Sequence, residues 1–197
     1  MNTRRLWLLT TLLLPLATAT PAHAADDLDR LDRLMALLAA HPGGTVRFVE
    51  RRRLAMLDAP LVSRGEMTYR APDWLERRTL SPRPERLLLD KDTLTMERDQ
   101  RRMSMPISQR PEVEAFVASI RSTLRGDRAA LERHYRVALQ GQPEKRWTMT
   151  LEPLQARLRG IVTQIVISGV GVAVDRVDYT QSDGDSTEMR MEPASKP

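Results

Sequence analysis

The sequence predicts a mainly β fold: one antiparallel sheet of about ten short strands, curled toward a barrel, with two helical regions left to cover its concave face. Three observations carry that expectation. Apolar and polar residues alternate with a period of two through a series of short segments, the pattern of strands with one buried face. Those segments are separated by turn-forming residues such as Pro72-Asp73, Pro82-Arg83-Pro84, Lys91-Asp92 and Asp183-Gly184. A helical period appears in only two regions, and a sheet of so many strands is too wide to stay flat.

Ahead of these elements, Arg4 and Arg5 precede the apolar run Leu6 to Leu16 and the small-residue sequence Ala22-His23-Ala24. A charged n-region, an apolar stretch too short to span a bilayer and an A-x-A site together make a cleavable export signal. Residues 1–24 are expected to be removed, leaving 25–197 as one soluble, unanchored domain. The chain of 197 residues has no cysteine, which excludes a disulfide framework, a thiol nucleophile and a thiolate metal site. Its formal charge of +5 falls to about +3 once Arg4 and Arg5 are gone. That excess is mild, and export argues against nucleic acid as a partner.

Taken in order, Asp26 to Ala40 places Leu28, Leu31, Leu34, Met35, Leu37 and Leu38 at helical spacing, and His41-Pro42-Gly43-Gly44 stops the helix. From Thr45 to Leu57 the pattern is extended. Val46, Phe48, Leu54 and Met56 share one face against Arg47, Arg51 and Arg53, while Glu50 and Arg52 interrupt the apolar side, as an ion pair or a barrel mouth allows. Strands follow at 61–71, 74–80, 86–90, 93–97 and 101–105. Pro111 to Leu124 then carries Val113, Phe116, Val117, Ile120 and Leu124 on one helical face; Gly126 ends it, and Asp127 opens a shorter helix to Leu131. Strands resume at 135–140, 147–151, 161–168, 172–179 and 187–191, with Gly141-Gln142-Pro143, Ser168-Gly169 and Asp183-Gly184 as turns. No repeat of fixed period divides the chain.

Motifs that carry chemistry are sparse. His41 and His134 each sit near the end of a helix, where they can satisfy its last carbonyls. No G-x-S-x-G elbow, Walker loop, G-x-G-x-x-G or H-E-x-x-H occurs. Asp183-Gly184-Asp185 reads as a hairpin turn and lacks the ligand count of a calcium loop. The residues therefore name no catalytic group, metal ligand or cofactor site, although a Ser-His-Asp arrangement gathered from distant positions keeps a hydrolase-type enzyme open as a third reading.

The order of helix, strand, "SRGEMTYRAPDWLERRTLSPRPERLLLDKDTLTM", helical insertion, strand with Trp147 and strands ending near "TQSDGDSTEMRM" resembles the LolA-like family of periplasmic lipoprotein carriers. The most specific piece is the step from Gly65 to Pro72, a glycine, an aliphatic, an aromatic and a strand-ending proline at fixed spacing. The resemblance implies an incomplete antiparallel barrel of about ten to eleven strands with helices as a lid. Its apolar interior would hold the acyl chains of a lipoprotein or lipid, taken from an inner-membrane releasing complex and passed to an outer-membrane acceptor, by a monomer that performs no chemistry. The family's arginine before the strand-ending proline is Ala71 here, with Arg70 one residue earlier, so alternation need not put Arg70 where that lid latch would be. Shortened relatives of this kind resemble carriers found beside fatty-acid-type biosynthetic enzymes, which implies a free lipid or acylated product as an alternative cargo. A related role, binding misplaced lipids and signalling to a membrane partner, is the second reading.

The apolar faces predict the cavity lining. A curled sheet has one concave face, so Phe48, Met56, Met67, Tyr69, Trp74, Met96, Met103, Met105, Trp147 and Met149 are expected on it, and Val113, Phe116, Val117 and Ile120 are expected on the lid. Methionine suits a pocket that must hold and release chains of different shape, because its unbranched, polarizable side chain repacks. The arginine runs 51–53, 77–78 and 101–102 are expected to face solvent, where they discourage edge-to-edge aggregation and offer a basic face for transient contact with an anionic membrane or an acidic partner.

Overall fold

A computed structural model describes residues 22–194. The expected export signal lies outside the described residues except for Ala22 to Ala24, which open helix α1 (Ala22–Ala39). Eleven strands follow: β1 (Gly43–Arg53), β2 (Leu61–Arg70), β3 (Trp74–Ser81), β4 (Glu85–Asp90), β5 (Thr93–Arg98), β6 (Arg101–Pro106), β7 (Tyr135–Gly141), β8 (Arg146–Pro153), β9 (Val162–Val170), β10 (Ala173–Gln181) and β11 (Ser186–Pro193). Between β6 and β7 come a 3₁₀ turn (Ile107–Gln109), α2 (Pro111–Leu124) and α3 (Arg128–Glu132), and α4 (Ala156–Arg159) joins β8 to β9.

All eleven strands form one antiparallel sheet in the order β6-β5-β4-β3-β2-β1-β11-β10-β9-β8-β7. Every pairing but one joins consecutive strands; the exception, β1 with β11, sets Phe48 opposite Met191 and Glu50 opposite Met189. β6 and β7 are the two edges, so the barrel is incomplete. The chain leaves the sheet at one edge and re-enters at the other, which obliges residues 107–134 to cross it. The expected mainly β architecture, open barrel and helical cover are thus present.

Register assigns the faces. Val46, Phe48 and Glu50 of β1 lie opposite Met67, Gly65 and Ser63 of β2, and the same face continues through Leu75, Arg77, Leu87, Leu89, Leu94, Met96, Met103 and Met105. In the other direction it continues through Met189, Val177, Ile167, Met149 and Leu139. Helix α1 packs its apolar stripe, Leu31, Leu34, Met35 and Leu38, into a core with Leu139, Trp147, Met149, Leu151, Ile165 and Ile167. The core therefore fills the β7–β10 side of the concave face.

Two sequence assignments change. β1 ends at Arg53, and the last β1–β2 partners are Arg52 and Leu61. Residues 54–60 form a loop in which the Ala55 N–H donates to the Asp185 carboxylate at 2.9 Å, and Pro60 has no N–H to extend the ladder. Met56 is consequently 86% exposed and off the sheet. Gly169 is not a turn residue but lies within β9; the turn falls at Gly171, whose φ is +56°. A β-carbon at Gly169 would come 2.6 Å from the Trp147 ring, so the glycine makes room for the indole to lie across β9.

Candidate functional site

The concave face has a filled half and an open half. On the filled side Trp147 and Met149 are fully buried, and the Trp147 Nε1–H donates to the Gly171 carbonyl at 2.8 Å. These two predicted lining residues are packed core. On the β2–β6 side, Met67, Leu75, Leu87, Leu94, Met96 and Met105 are only half-buried, and Met103 is 53% exposed. Phe48 and Tyr69 share the face and are buried at the boundary between the halves.

Trp74 is placed on the opposite face. Tyr69 pairs with Leu75, which sends Leu75 inward and Trp74 outward opposite Arg70, whose guanidinium carbon lies 4.6 Å from the indole centroid. Leu75, Leu87 and Leu94 take inward positions that the sequence reading missed. The run Leu87-Leu88-Leu89 carries no alternation, so only the pairing of β3 with β4 shows which of its leucines point inward.

Polar groups interrupt the face where β1 anticipated them. Arg77 Nη2 lies 2.9 Å from Glu50 Oε1, the Ser63 hydroxyl donates to the same oxygen at 3.1 Å, and the Arg77 guanidinium stacks 4.7 Å from the Phe48 ring centroid. A β-carbon at Gly65 would meet the Phe48 ring at 2.9 Å, so this glycine too accommodates an aromatic across the strand. Arg77 Nε is buried without a hydrogen-bond partner. By register Arg77 stands between Met67 and Leu87, so the ion pair interrupts the apolar residues of this half.

Helix α2 crosses this face. Among its described side chains, Ser119, Ser122 and Thr123 are the buried ones. The predicted lid residues Val113, Phe116, Val117 and Ile120 are half-buried. Phe116 meets Tyr179 of β10 edge-to-face at 5.5 Å. Arg121, one turn along from Val117, donates to the Lys91 carbonyl at 2.8 Å and pairs with Asp92 at 3.1 Å, while Arg125 pairs with Asp73 at 2.9 Å. These contacts tie the apolar flank of α2 to the turns that close β4–β5 and β2–β3. Beneath the helix, burial raises the Tyr135 phenol to about 12, against a smaller opposing effect from its hydrogen bond with Ser119.

Two further features complete the surface. A depression of about 500 Å³ opens at the other end of β3–β6, lined by charged side chains including Arg78, Arg86, Arg98 and Arg102 with Glu85 and Glu97. Among the described residues no group of three or more histidine, aspartate or glutamate side chains is placed to hold a metal ion, and no helix is long and apolar enough to cross a membrane.

Residues 19–196 match the family model described as outer membrane lipoprotein carrier protein LolA-like. The chain belongs to the LolA-like family. Solved structures similar to this LolA-like chain include a LolA superfamily protein from Nitrosomonas europaea, 9% identical, with 87% of this chain and 94% of that one covered and a TM-score of 0.42. The lipoprotein LppX from Mycobacterium tuberculosis is 13% identical, with 87% and 97% covered and a TM-score of 0.45. The MucA/MucB complex of Pseudomonas aeruginosa matches at 11% identity, with 85% and 56% covered and a TM-score of 0.45. No curated protein sequence matches the chain. In this LolA-like chain Arg70 stacks on the outer face, and the ion pairs that tie α2 to the turns of the sheet come from Arg121 and Arg125 of the helix itself.

Proposed function

We propose that the protein is a periplasmic carrier that holds the acyl chains of a lipid or lipoprotein between α2 and the β2–β6 half of the concave face, and performs no covalent chemistry. One observation supports this above the rest: beside the half of the face that carries the α1 core, Met67, Leu75, Leu87, Leu94, Met96, Met103 and Met105 are left partly exposed around the buried Leu89 and the Arg77–Glu50 ion pair. An acyl chain covering these residues gains about 0.8 kcal/mol per buried methylene. The three methionines of β5 and β6 give the open half an adaptable wall, and the half-buried valines and isoleucine of α2 give it a roof that can lift. Export, with cleavage after Ala24, would place residues 25–197 where such cargo moves between an inner-membrane donor and an outer-membrane acceptor.

The test is native mass spectrometry of protein recovered from the periplasm, followed by titration of the delipidated protein with a fluorescent fatty acid. The expected result is a mature chain beginning at Ala25, a co-purifying acylated molecule and saturable probe binding that the extracted molecule displaces. Protein that comes out ligand-free and fails to bind the probe would overturn the proposal.

A further inference from the structure

We propose a second functional surface, separate from the acyl groove: the end of the sheet that carries the β1–β2 loop docks on anionic bilayers, with Met56 and Leu57 as its inserted tip. Antiparallel connectivity collects the connections 54–60, 82–84, 99–100, 154–161 and 182–185 at this one end. Three of them are joined directly, since the Ala55 N–H donates to Asp185 at 2.9 Å and the Ser182 N–H donates to the Ile161 carbonyl at 3.1 Å. Met56, Leu57, Leu61, Leu154 and Ile161 are all exposed there.

Charge surrounds these apolar tips. Arg51, Arg52 and Arg53 end β1 in exposed positions, Arg83 lies in the β3–β4 turn, Arg98, Arg101 and Arg102 flank the β5–β6 turn, and Arg157 and Arg159 lie on α4, against Asp58, Asp99, Asp183 and Asp185 in the same connections and the partners Glu188, Glu85 and Glu97 of Arg51, Arg98 and Arg102. At the far end the connections mix Asp73, Lys91, Asp92, Glu144 and Lys145, and both Asp73 and Asp92 are already paired with arginines of α2. Arginines of the strand ends and α4 thus leave this apolar-tipped end with a basic excess over its acids. A narrow exposed tip within a broad ring of arginines matches a laterally uniform anionic surface with an apolar interior. A protein partner would instead select a flat apolar patch with charge at its rim.

Cosedimentation of the mature protein with phosphatidylglycerol–phosphatidylcholine vesicles decides the matter. Binding is expected with the mixed vesicles, to weaken with salt and to be absent with phosphatidylcholine alone. The double variants Met56→Asp/Leu57→Asp and Arg53→Glu/Arg83→Glu, which change only loop residues and the convex-face Arg53, should each weaken partition roughly tenfold or more. Their circular dichroism melts and fatty-acid probe affinity should match the parent's, because none of these residues touches the groove. Conversely, Met103→Asp should keep vesicle binding, which separates failure of this surface from failure of the acyl site. A Met56→Trp reporter should shift its emission to the blue on anionic vesicles and be quenched by brominated acyl chains. Vesicle binding that the tip and arginine variants leave unchanged, absence of vesicle binding, or a tip-dependent dimer seen by light scattering without lipid would each overturn the proposal.

Discussion

At Gly169 a β-carbon would lie 2.4 Å from the Ala173 carbonyl oxygen as well as 2.6 Å from the Trp147 ring. Gly169→Ala must therefore displace backbone or a fully buried indole, and overpacking of this kind costs about 1–3 kcal/mol. A lower urea midpoint at unchanged slope is expected, with Gly184→Ala, where nothing lies within 4 Å but φ is +90°, as a comparison that tests strain without crowding. Tyr135 offers a pH test. Its phenol is raised from 10.0 to about 12 by burial, so the unfolded chain ionises first. The stability contributed by keeping this phenol neutral is complete below pH 10 and is lost as pH climbs toward 12. Alkaline unfolding followed by circular dichroism should begin in that window, and Tyr135→Phe should move it upward. Glu188 works in the opposite sense: the hydrogen bond from Arg190, followed by attraction from Arg176 and Arg51, lowers its carboxyl below 4.5. Its contribution is present above that value and disappears as pH falls through the depressed one.

Helix α2 shows what periodicity can and cannot reveal about an element. Its span, Pro111 to Leu124, is legible because proline opens it and the apolar repeat stops before Gly126. Its buried side is not legible, because an apolar stripe is read as the packed one by default. Here Ser119, Ser122 and Thr123 are the buried residues. Ser119 and Thr123 tolerate burial because the Ser119 hydroxyl donates to the Phe116 carbonyl and the Thr123 hydroxyl to the Ser119 carbonyl, both at 2.7 Å. Small side chains also suit the close approach near α1, where a β-carbon at Gly126 would sit 1.9 Å from the Met35 carbonyl oxygen. Ser119→Leu is accordingly expected to cost about 1–3 kcal/mol in urea unfolding, whereas Val117→Asp should leave the midpoint nearly unchanged and weaken probe binding. Removing the Arg121 and Arg125 contacts together should cost little global stability, about 0–1 kcal/mol per exposed pair. It should nevertheless accelerate amide exchange through α2 selectively, since a lid opens locally before the sheet does. Uniform exchange rates in the double alanine variant would show that the helix is held by its buried face alone.

Across the whole molecule, the strands are legible because alternation, or in β4 a short apolar run between turn residues, is a local signal, and the two predicted lining residues that leave the concave face, Met56 and Trp74, do so where local pattern meets non-local pairing. Leu54 and Met56 continue the period of β1 past the point where Pro60 and Asp185 end its pairing. Trp74 keeps company with Tyr69 in sequence but is turned outward by the Tyr69–Leu75 register. The division into a filled and an open half is the least legible feature, since nothing in β5 or β8 alone says which of them α1 will cover. That division supplies the sharpest contrast for the carrier reading. Met149 and Met103 are both methionines on the concave face, one fully buried in the α1 core and the other 53% exposed beside the edge. Met149→Asp places a carboxylate where it can be neither solvated nor paired, and it should cost on the order of 4 kcal/mol or more, enough to threaten folding itself. Met103→Asp keeps its charge near water and should shift stability by only about 0.5 kcal/mol. Acyl binding should respond in the reverse order among folded molecules, because a chain seated against Met96 and Met103 must desolvate the new carboxylate. Fatty-acid probe titration at a temperature where circular dichroism shows each variant folded makes the comparison. If Met103→Asp and a companion Met96→Asp bind the probe as the parent does, while folded Met149→Asp does not, the cargo lies under α1 in the β7–β10 half and the open strip is an exposed sheet face without a passenger.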